Sequence, residues 1–372
     1  MKFRQPYISF IVTSLLLSVF VYSTLSIDET FVLNQHTQLA NDAVDAKILH
    51  PFTHISVDIT KEINAITLHF ANREYRLLLP VIGNVLQIKS NQLTSFQIYL
   101  LPFVLLFLCI FFYRNLKNHV LAMLLTATLI NSYVCLCFFQ KFPFFDAYAL
   151  FIMLLIMLCQ NRICLFILYL TGFLLDERML LSSGLILLLK QYLENKDFSF
   201  NAFFSYLIQR QLVFIIAVGV YFLIRLILIL KCDFYATPST YLFFTKSAII
   251  NNIRGGFLSF IYTYKAWSVI VFLNLFLAIK QEKYQLYITL FAAILLMLLS
   301  CVFVYDFSRI QLYFLPFIIW NIFLFLSSAM KIHKKYIYIV FIIFFINLAM
   351  PSKIVYGGLR NKIQDINTLW SR

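Results

Sequence analysis

The sequence predicts an all-α fold, a bundle of transmembrane helices that crosses the bilayer about eleven times, within a range of about nine to thirteen. Three observations predict this fold class. Of the 372 residues, 62% are hydrophobic and only 12% are charged, which leaves too little polar surface to cover a soluble globule of this size. Apolar runs recur along almost the whole chain, and short polar turns separate them. Glycine and proline are scattered rather than gathered into a linker, so residues 1–372 form a single transmembrane domain.

The first apolar run directly follows the positively charged residues Lys2 and Arg4. It is longer than the apolar core of a usual cleaved signal peptide, and no small-x-small cleavage site follows it cleanly. The run therefore favours a retained signal anchor with the N-terminus in the cytoplasm. An odd number of spans then places the C-terminus on the outer side of the membrane.

The loop at about 27–94 is the only long stretch that cannot lie in a bilayer. It contains seven of the sixteen carboxylates and four of the six histidines of the chain. Because each charge in hydrocarbon costs about 2.5 kcal/mol or more, charges gather in such a protein where water, substrate or a partner meets them. The segment LLLPVIGNVLQI is too short to span and suits the membrane surface. We therefore expect this first outer loop to carry short surface helices and to cover a site.

The later apolar runs predict the remaining spans in order. They cover residues 95–113, 119–138, 147–159, 163–175, 179–190, 212–230, 257–279, 286–305, 312–330 and 336–350. The three shortest cannot cross about 30 Å of hydrocarbon unaided, so we expect them to be tilted, extended or re-entrant. The stretch at about 232–256 is a candidate second outer loop. Lys265 lies inside an apolar run and should face the bundle interior or a wet cavity, unless that loop extends as far as this residue.

The distribution of charge supports this orientation. The predicted cytoplasmic turns and the N-terminus hold thirteen lysines and arginines but only three acids, Glu194, Asp197 and Glu282. Such turns are what the positive-inside rule predicts. The other thirteen acids all fall on the predicted outer side, a bias that the rule does not demand. The basic residues are dispersed as topology determinants, so the net charge of +14 does not indicate a nucleic-acid partner.

Four outer connections carry an acid at the end of a predicted span. They are Asp28-Glu29, Asp146, Asp176-Glu177-Arg178 and the stretch from Asp306 to Arg309. For any one of them the alternative is helix capping, because an acid at a helix N-terminus stabilises the helix by about 0.3–1 kcal/mol. Four such elements on one face, two of them with an arginine, predict a shared cleft instead.

Arginines in the outer loops are candidate phosphate ligands. Arg73 and Arg76, three residues apart, would share one face of a short helix beside the surface segment. Arg254 lies within the candidate second outer loop, beside several aromatic residues. Guanidinium groups match pairs of phosphate oxygens. The alternative is ordinary anchoring to lipid head groups.

The sequence does not predict a transition-metal or disulfide site. His50 and His54 stand at i and i+4, but no third ligand has diagnostic spacing. Six of the seven cysteines lie in apolar runs, where cysteine behaves as a small hydrophobe. Mg²⁺ or Mn²⁺ could still bind through oxygen atoms of Asp28, Glu29 and Asp45, because such a site leaves no sequence signature.

These features together resemble the C-type membrane glycosyltransferase superfamily. The first span is followed at once by Asp28-Glu29, then by a long outer loop with Arg73 and Arg76, and then by about ten spans with acids on the same face. The size and the Phe/Ile/Leu-rich composition are also similar to bacterial O-antigen and capsule polymerases. The resemblance covers most of the chain in topology but only these few residues in motif, and the tail 351–372 is too short for the soluble domain of the larger members.

The resemblance implies a multi-pass enzyme of the bacterial inner membrane. It would transfer a sugar or oligosaccharide from an undecaprenyl-linked donor at the periplasmic face, in the assembly or polymerisation of surface polysaccharide such as lipopolysaccharide O-antigen or capsule. Its partners would be the polyprenyl-phosphate-linked glycan, membrane lipid, and a chain-length regulator or flippase. Asp28 would be the base, with Glu29 or Asp45 as alternatives. The departing phosphate would meet the arginines Arg73, Arg76, Arg178 and Arg309.

Two other function classes stay open. A transporter or flippase of lipid-linked glycans would need no bond chemistry, but the sequence has no internal repeat and its acids lie on one side. An acyltransferase would use a histidine, for which His36, His50, His54 and His69 are the candidates.

Overall fold

A computed structural model describes most of the chain. The described residues are 5–24, 34–52, 76–130, 133–139, 145–232, 246–302, 307–332, 336–350, 353–356 and 362–365. Nearly all of them are helical, so the prediction of a helical protein is confirmed. The described ranges leave out Asp28, Glu29, Arg73 and Asp306, and the predictions for these four residues therefore lie outside the described residues.

The helices follow one another closely. In chain order they are α1 (Gln5–Thr24), α2 (Asn34–Leu49), α3 (Leu78–Leu86), α4 (Ser90–Leu116), α5 (His119–Ala127), α6 (Tyr133–Leu136), α7 (Asp146–Leu158), α8 (Arg162–Leu175), α9 (Met179–Asn195), α10 (Phe200–Arg210), α11 (Leu212–Cys232), α12 (Lys246–Tyr264), α13 (Ala266–Lys280), α14 (Tyr284–Val302), α15 (Phe307–Leu312), α16 (Leu315–Ile332) and α17 (Tyr336–Ala349). A 3₁₀ turn at Cys137–Phe139 follows α6.

Two short strands follow the helices. β1 (Lys353–Tyr356) and β2 (Lys362–Asp365) pair antiparallel, with Lys353 opposite Asp365 and Tyr356 opposite Lys362. This pair departs from a purely α-helical fold.

Helices long and apolar enough to cross a membrane are present. Among the described residues there are four, namely Pro6–Ser23, Ser90–Leu116, Leu212–Cys232 and Tyr284–Val302. The bent pair Ile249–Tyr264 and Ala266–Lys280 makes a fifth if it counts as one span. Shorter apolar helices lie at Asp146–Leu158, Arg162–Leu175, Leu315–Ser328 and Ile337–Ala349. The chain is therefore a helical membrane protein by the length and composition of its helices.

The span predicted over 257–279 is not one continuous helix. Helix α12 ends at Tyr264 and α13 begins at Ala266, and the two helices are bent by 109°. Lys265 stands at the break with a φ of 52° and a ψ of −121°. The apolar run continues through this point, so hydrophobicity alone does not mark the break. Residues 246–256, assigned to a candidate outer loop, belong to α12.

The stretch at about 27–94, predicted to be the first outer loop, carries helices, as its sequence predicts. Helices α2 and α3 pack against each other, and the Gly83 Cα lies so close to α2 that an added Cβ would be 3.0 Å from Ile48. Arg76 itself lies two residues before the start of α3, and Arg73, predicted to share a helical face with it, lies outside the described residues.

The centre of the bundle is formed by α15 and α16. Every residue from 307 to 326 that the structure describes is buried, including the polar side chains of Ser308, Arg309, Gln311 and Asn321. Asn274 of α13 donates a hydrogen bond to the side-chain oxygen of Asn321 at 3.0 Å, which joins two helices in the core. Helix α15 therefore carries an arginine into the interior, where buried charges must be paired.

Candidate functional site

Three arginines, three acids and one tyrosine meet in what we call the charge cluster. It consists of Arg76, Asp146, Asp176, Glu177, Arg178, Arg309 and Tyr313. The residues come from four separate segments: the approach to α3, the first residue of α7, the connection between α8 and α9, and α15 with the turn behind it. Segments far apart in the sequence thus meet through their charged side chains.

Asp146 lies at the buried end of the charge cluster, with no exposed side-chain surface. Arg309 donates from Nε to Oδ2 at 2.5 Å and from Nη2 to Oδ1 at 2.9 Å. Arg178 Nη2 and the Tyr313 hydroxyl also donate to Oδ1, at 3.3 and 3.2 Å. Both carboxylate oxygens are therefore occupied, and Asp146 holds the arginines in place rather than offering itself as a base.

Asp176 is equally saturated. The backbone N–H and the Nε of Arg178 donate to Oδ1 at 2.9 and 2.8 Å, and Nη2 donates to Oδ2 at 2.6 Å. Arg76 Nη1 lies 3.1 Å from the same Oδ2. Burial alone would raise the pKa of the Asp176 carboxyl, but Arg178 and Arg76 outweigh burial and hold that pKa well below its usual value. The guanidinium of Arg178 also lies 4.4 Å from the centre of the Tyr313 ring, a cation–π contact.

Arg76 and Glu177 form the outer end of the charge cluster. Arg76 donates from Nε to Oε2 at 3.2 Å and from Nη2 to Oε1 at 2.9 Å, a two-pronged ion pair. Burial alone would lower the pKa of the Arg76 guanidinium, but the carboxylates of Asp176 and Glu177 outweigh burial and raise it. Arg76 therefore stays charged at every physiological pH.

Exposure rises steadily from one end of the charge cluster to the other. The side chains of Asp146, Arg309 and Asp176 are 0%, 2% and 2% exposed, and those of Arg178 and Arg76 are 11% and 15% exposed. Glu177 is 34% exposed. The charges balance, with three guanidinium groups against three carboxylates, as buried ions require. A ligand can therefore reach the Glu177 end, while the Asp146 end is closed.

Most of the predicted site residues that the structure describes come together. Six of them belong to the charge cluster: Arg76, Asp146, Asp176, Glu177, Arg178 and Arg309. Tyr313 is the member that sequence reasoning missed, and its spacing of four residues from Arg309 across the α15 turn is the one available signal.

Asp45 and Arg254 lie apart from the charge cluster. Asp45 Oδ1 accepts a hydrogen bond at 2.7 Å from the backbone N–H of Ser90, the first residue of α4, so this carboxylate caps a helix. Arg254 is exposed on α12.

The described residues do not form a metal centre. Across the described ranges, no group of three or more histidine, cysteine, aspartate and glutamate side chains could hold a metal ion. The carboxylates of the charge cluster are engaged by arginines. Of the three acids proposed for Mg²⁺ or Mn²⁺, only Asp45 lies among the described residues.

A second polar centre surrounds Lys265, which is 1% exposed at the break between α12 and α13. Its Nζ donates to the backbone carbonyls of Asn347 and Met350 at 2.9 and 2.8 Å, where α17 ends. The backbone N–H of Ala266 donates to the Asn347 side-chain oxygen at 2.9 Å. The positive φ of Lys265 is strained for a residue with a side chain, so these contacts hold the break in place.

Comparisons with known protein families, with curated proteins and with solved structures find no match for this chain.

Proposed function

We propose that this protein is a membrane glycosyltransferase that uses a polyprenyl-linked, undecaprenyl-type sugar donor at the periplasmic face of the bacterial inner membrane. It would act in the assembly or polymerisation of surface polysaccharide. The observation that carries the proposal is the meeting of Asp146, residues 176–178 and Arg309 in one charge cluster, to which Arg76 of the first outer loop also belongs. In this proposal the chain crosses the membrane about eleven times, with the N-terminus in the cytoplasm and the C-terminus in the periplasm.

The chemistry needs a stabiliser for the departing phosphate and a base for the acceptor hydroxyl. A bond forms between the acceptor oxygen and the anomeric carbon, while the bond from that carbon to the phosphate oxygen breaks. Arg76 and Arg178 are the cluster arginines nearest the surface, so they would take up the phosphate charge. Asp28 or Glu29 would receive the acceptor proton, because the oxygens of Asp146 and Asp176 are already occupied by donors.

A strain that depends on this protein provides the test. We expect Arg178→Gln to shorten or abolish the surface glycan and to cause accumulation of lipid-linked repeat units, with protein still present in the membrane. Arg210→Gln is the matched control, because Arg210 is an exposed arginine at the end of α10, outside the charge cluster. Unchanged glycan length and yield at normal levels of Arg178→Gln protein would refute the proposal.

A transporter or flippase of lipid-linked glycans is the second candidate, and one observation favours it. Transporters often build their sites from discontinuous helices, and α12 and α13 form such a pair around the buried Lys265. In proteoliposomes a flippase would move a lipid-linked oligosaccharide across the bilayer without changing its mass. A glycosyltransferase would change the mass of the product, so mass spectrometry separates the two candidates.

A further inference from the structure

We propose that Glu177 is a displaceable carboxylate that occupies an anion subsite on Arg76, and that a phosphate group binds by taking its place. This inference rests on the proposed function, and it adds how that site is kept closed in the absence of ligand. The ligand class is a phosphate ester or diphosphate. Its source is either a polyprenyl-linked donor or the head group of an ordinary anionic lipid.

The geometry of the Arg76–Glu177 pair supports the inference. Nε and Nη2 of Arg76 each donate to a different oxygen of Glu177, at 3.2 and 2.9 Å. The same fork of donors matches two oxygens of a phosphate group. The Glu177 carboxylate therefore occupies the position that a phosphate would take on this guanidinium.

Only Glu177 can leave the charge cluster at low cost. It is 34% exposed, whereas the side chains of Asp146 and Asp176 are 0% and 2% exposed and accept hydrogen bonds on both oxygens. Removing one partner of a buried ion pair is strongly destabilising, while an exposed ion pair contributes little. The glutamate is therefore the group that yields to an incoming anion.

The departure of Glu177 leaves a site prepared for an anion. Arg76 Nη1 stays 3.1 Å from the Asp176 carboxylate, so the guanidinium keeps an anchor after the glutamate moves. Three guanidinium groups then face two carboxylates, and the positive charge left over is neutralised by the phosphate. Because the Arg76–Glu177 pair must open before a phosphate can bind, the apparent affinity for phosphate equals the intrinsic affinity multiplied by the fraction of time for which the pair is open.

Direct binding measurements on the purified full-length protein test this inference. The probes are inorganic pyrophosphate, farnesyl phosphate, and nanodiscs with or without phosphatidylglycerol. If the pair is closed about nine-tenths of the time, Glu177→Gln should bind a phosphate probe about tenfold more tightly than the wild type. Glu194→Gln, a change of an exposed glutamate on α9, should leave the affinity unchanged. The double variant Arg76→Gln/Glu177→Gln should not show this tighter binding of the phosphate probe.

The probes separate the two ligand sources. Tighter binding of farnesyl phosphate supports a polyprenyl-linked ligand, whereas a gain limited to phosphatidylglycerol nanodiscs supports the displacement with a lipid head group as the ligand. Equal affinities of Glu177→Gln and wild type for every probe would overturn the inference. If Arg178→Gln still caused lipid-linked units to accumulate, the proposed function would stand even though the displacement of Glu177 had been refuted.

Discussion

Loss of the Arg309 guanidinium should cost the protein about 3–5 kcal/mol of unfolding free energy, because it leaves a buried carboxylate without its main partner. Arg309 supplies two of the four hydrogen bonds that Asp146 accepts, and both side chains are at most 2% exposed. In Arg309→Met, three carboxylates of the charge cluster face two guanidinium groups, and Asp146, which has no exposed side-chain surface, keeps only the donors from Arg178 and Tyr313. Asp146→Asn leaves three guanidinium groups facing two carboxylates, and it should lower the unfolding free energy by about as much as Arg309→Met.

The double variant tests whether the cost comes from the unbalanced charge. With both changes made, two guanidinium groups face two carboxylates, so the loss should be smaller than the sum of the single losses by about 2–3 kcal/mol. Tryptophan fluorescence during denaturant titration in mixed micelles can measure the unfolding free energy of each variant, since Trp267 and Trp320 are buried. Arg254→Met is the control on an exposed arginine. Single losses below about 1 kcal/mol, or strictly additive losses, would refute the reasoning.

Three further outcomes are expected in the same unfolding assay. The pKa of Asp176 is lower in the folded state than in the unfolded chain. The ion pairs of Asp176 therefore add stability that is complete above about pH 4 and is lost as the pH falls further. Asp176→Asn should remove this contribution to the acid dependence of unfolding. Gly256→Ala should cost about 1–3 kcal/mol because its Cβ would lie 2.7 Å from Cys301 Sγ, while Gly184→Ala, with open space around it, should cost nothing. Lys265→Met should cost about 1–3 kcal/mol because it leaves one buried and one partly buried carbonyl without this donor, and an unchanged unfolding midpoint would contradict that role.

Much of the helical framework could be predicted from the sequence. The predicted spans at 147–159, 163–175 and 212–230 agree with α7, α8 and α11 to within about two residues, because polar turns bound each apolar run. The break at Lys265 could not be predicted, since it depends on contacts with α17, more than eighty residues further along the chain. The sequence predicts a cytoplasmic turn between the spans 179–190 and 212–230, but residues 200–210 within it form the helix α10.

The candidate site could be predicted only as a set of charges on one face. Nothing in the local sequence pairs Arg309 with Asp146, which are separated by 163 positions. The contact by which Asp45 caps α4 joins it to Ser90, 45 positions further along the chain, so the local sequence does not indicate it. Tyr313 is one of 22 tyrosines, so its hydroxyl contact with Asp146 could not be singled out from composition.

The pairing within the charge cluster narrows where chemistry could occur. A carboxylate can accept a proton from a substrate only if one of its oxygens is accessible and not already saturated by donors. Asp146 and Asp176 fail this condition, since arginines occupy both oxygens of each. Glu177 meets it only when it leaves Arg76, and in that state the guanidinium is open to an anion. In the proposed reaction the acceptor proton therefore goes to Asp28 or Glu29, and the release of Glu177 serves to open Arg76 to the phosphate.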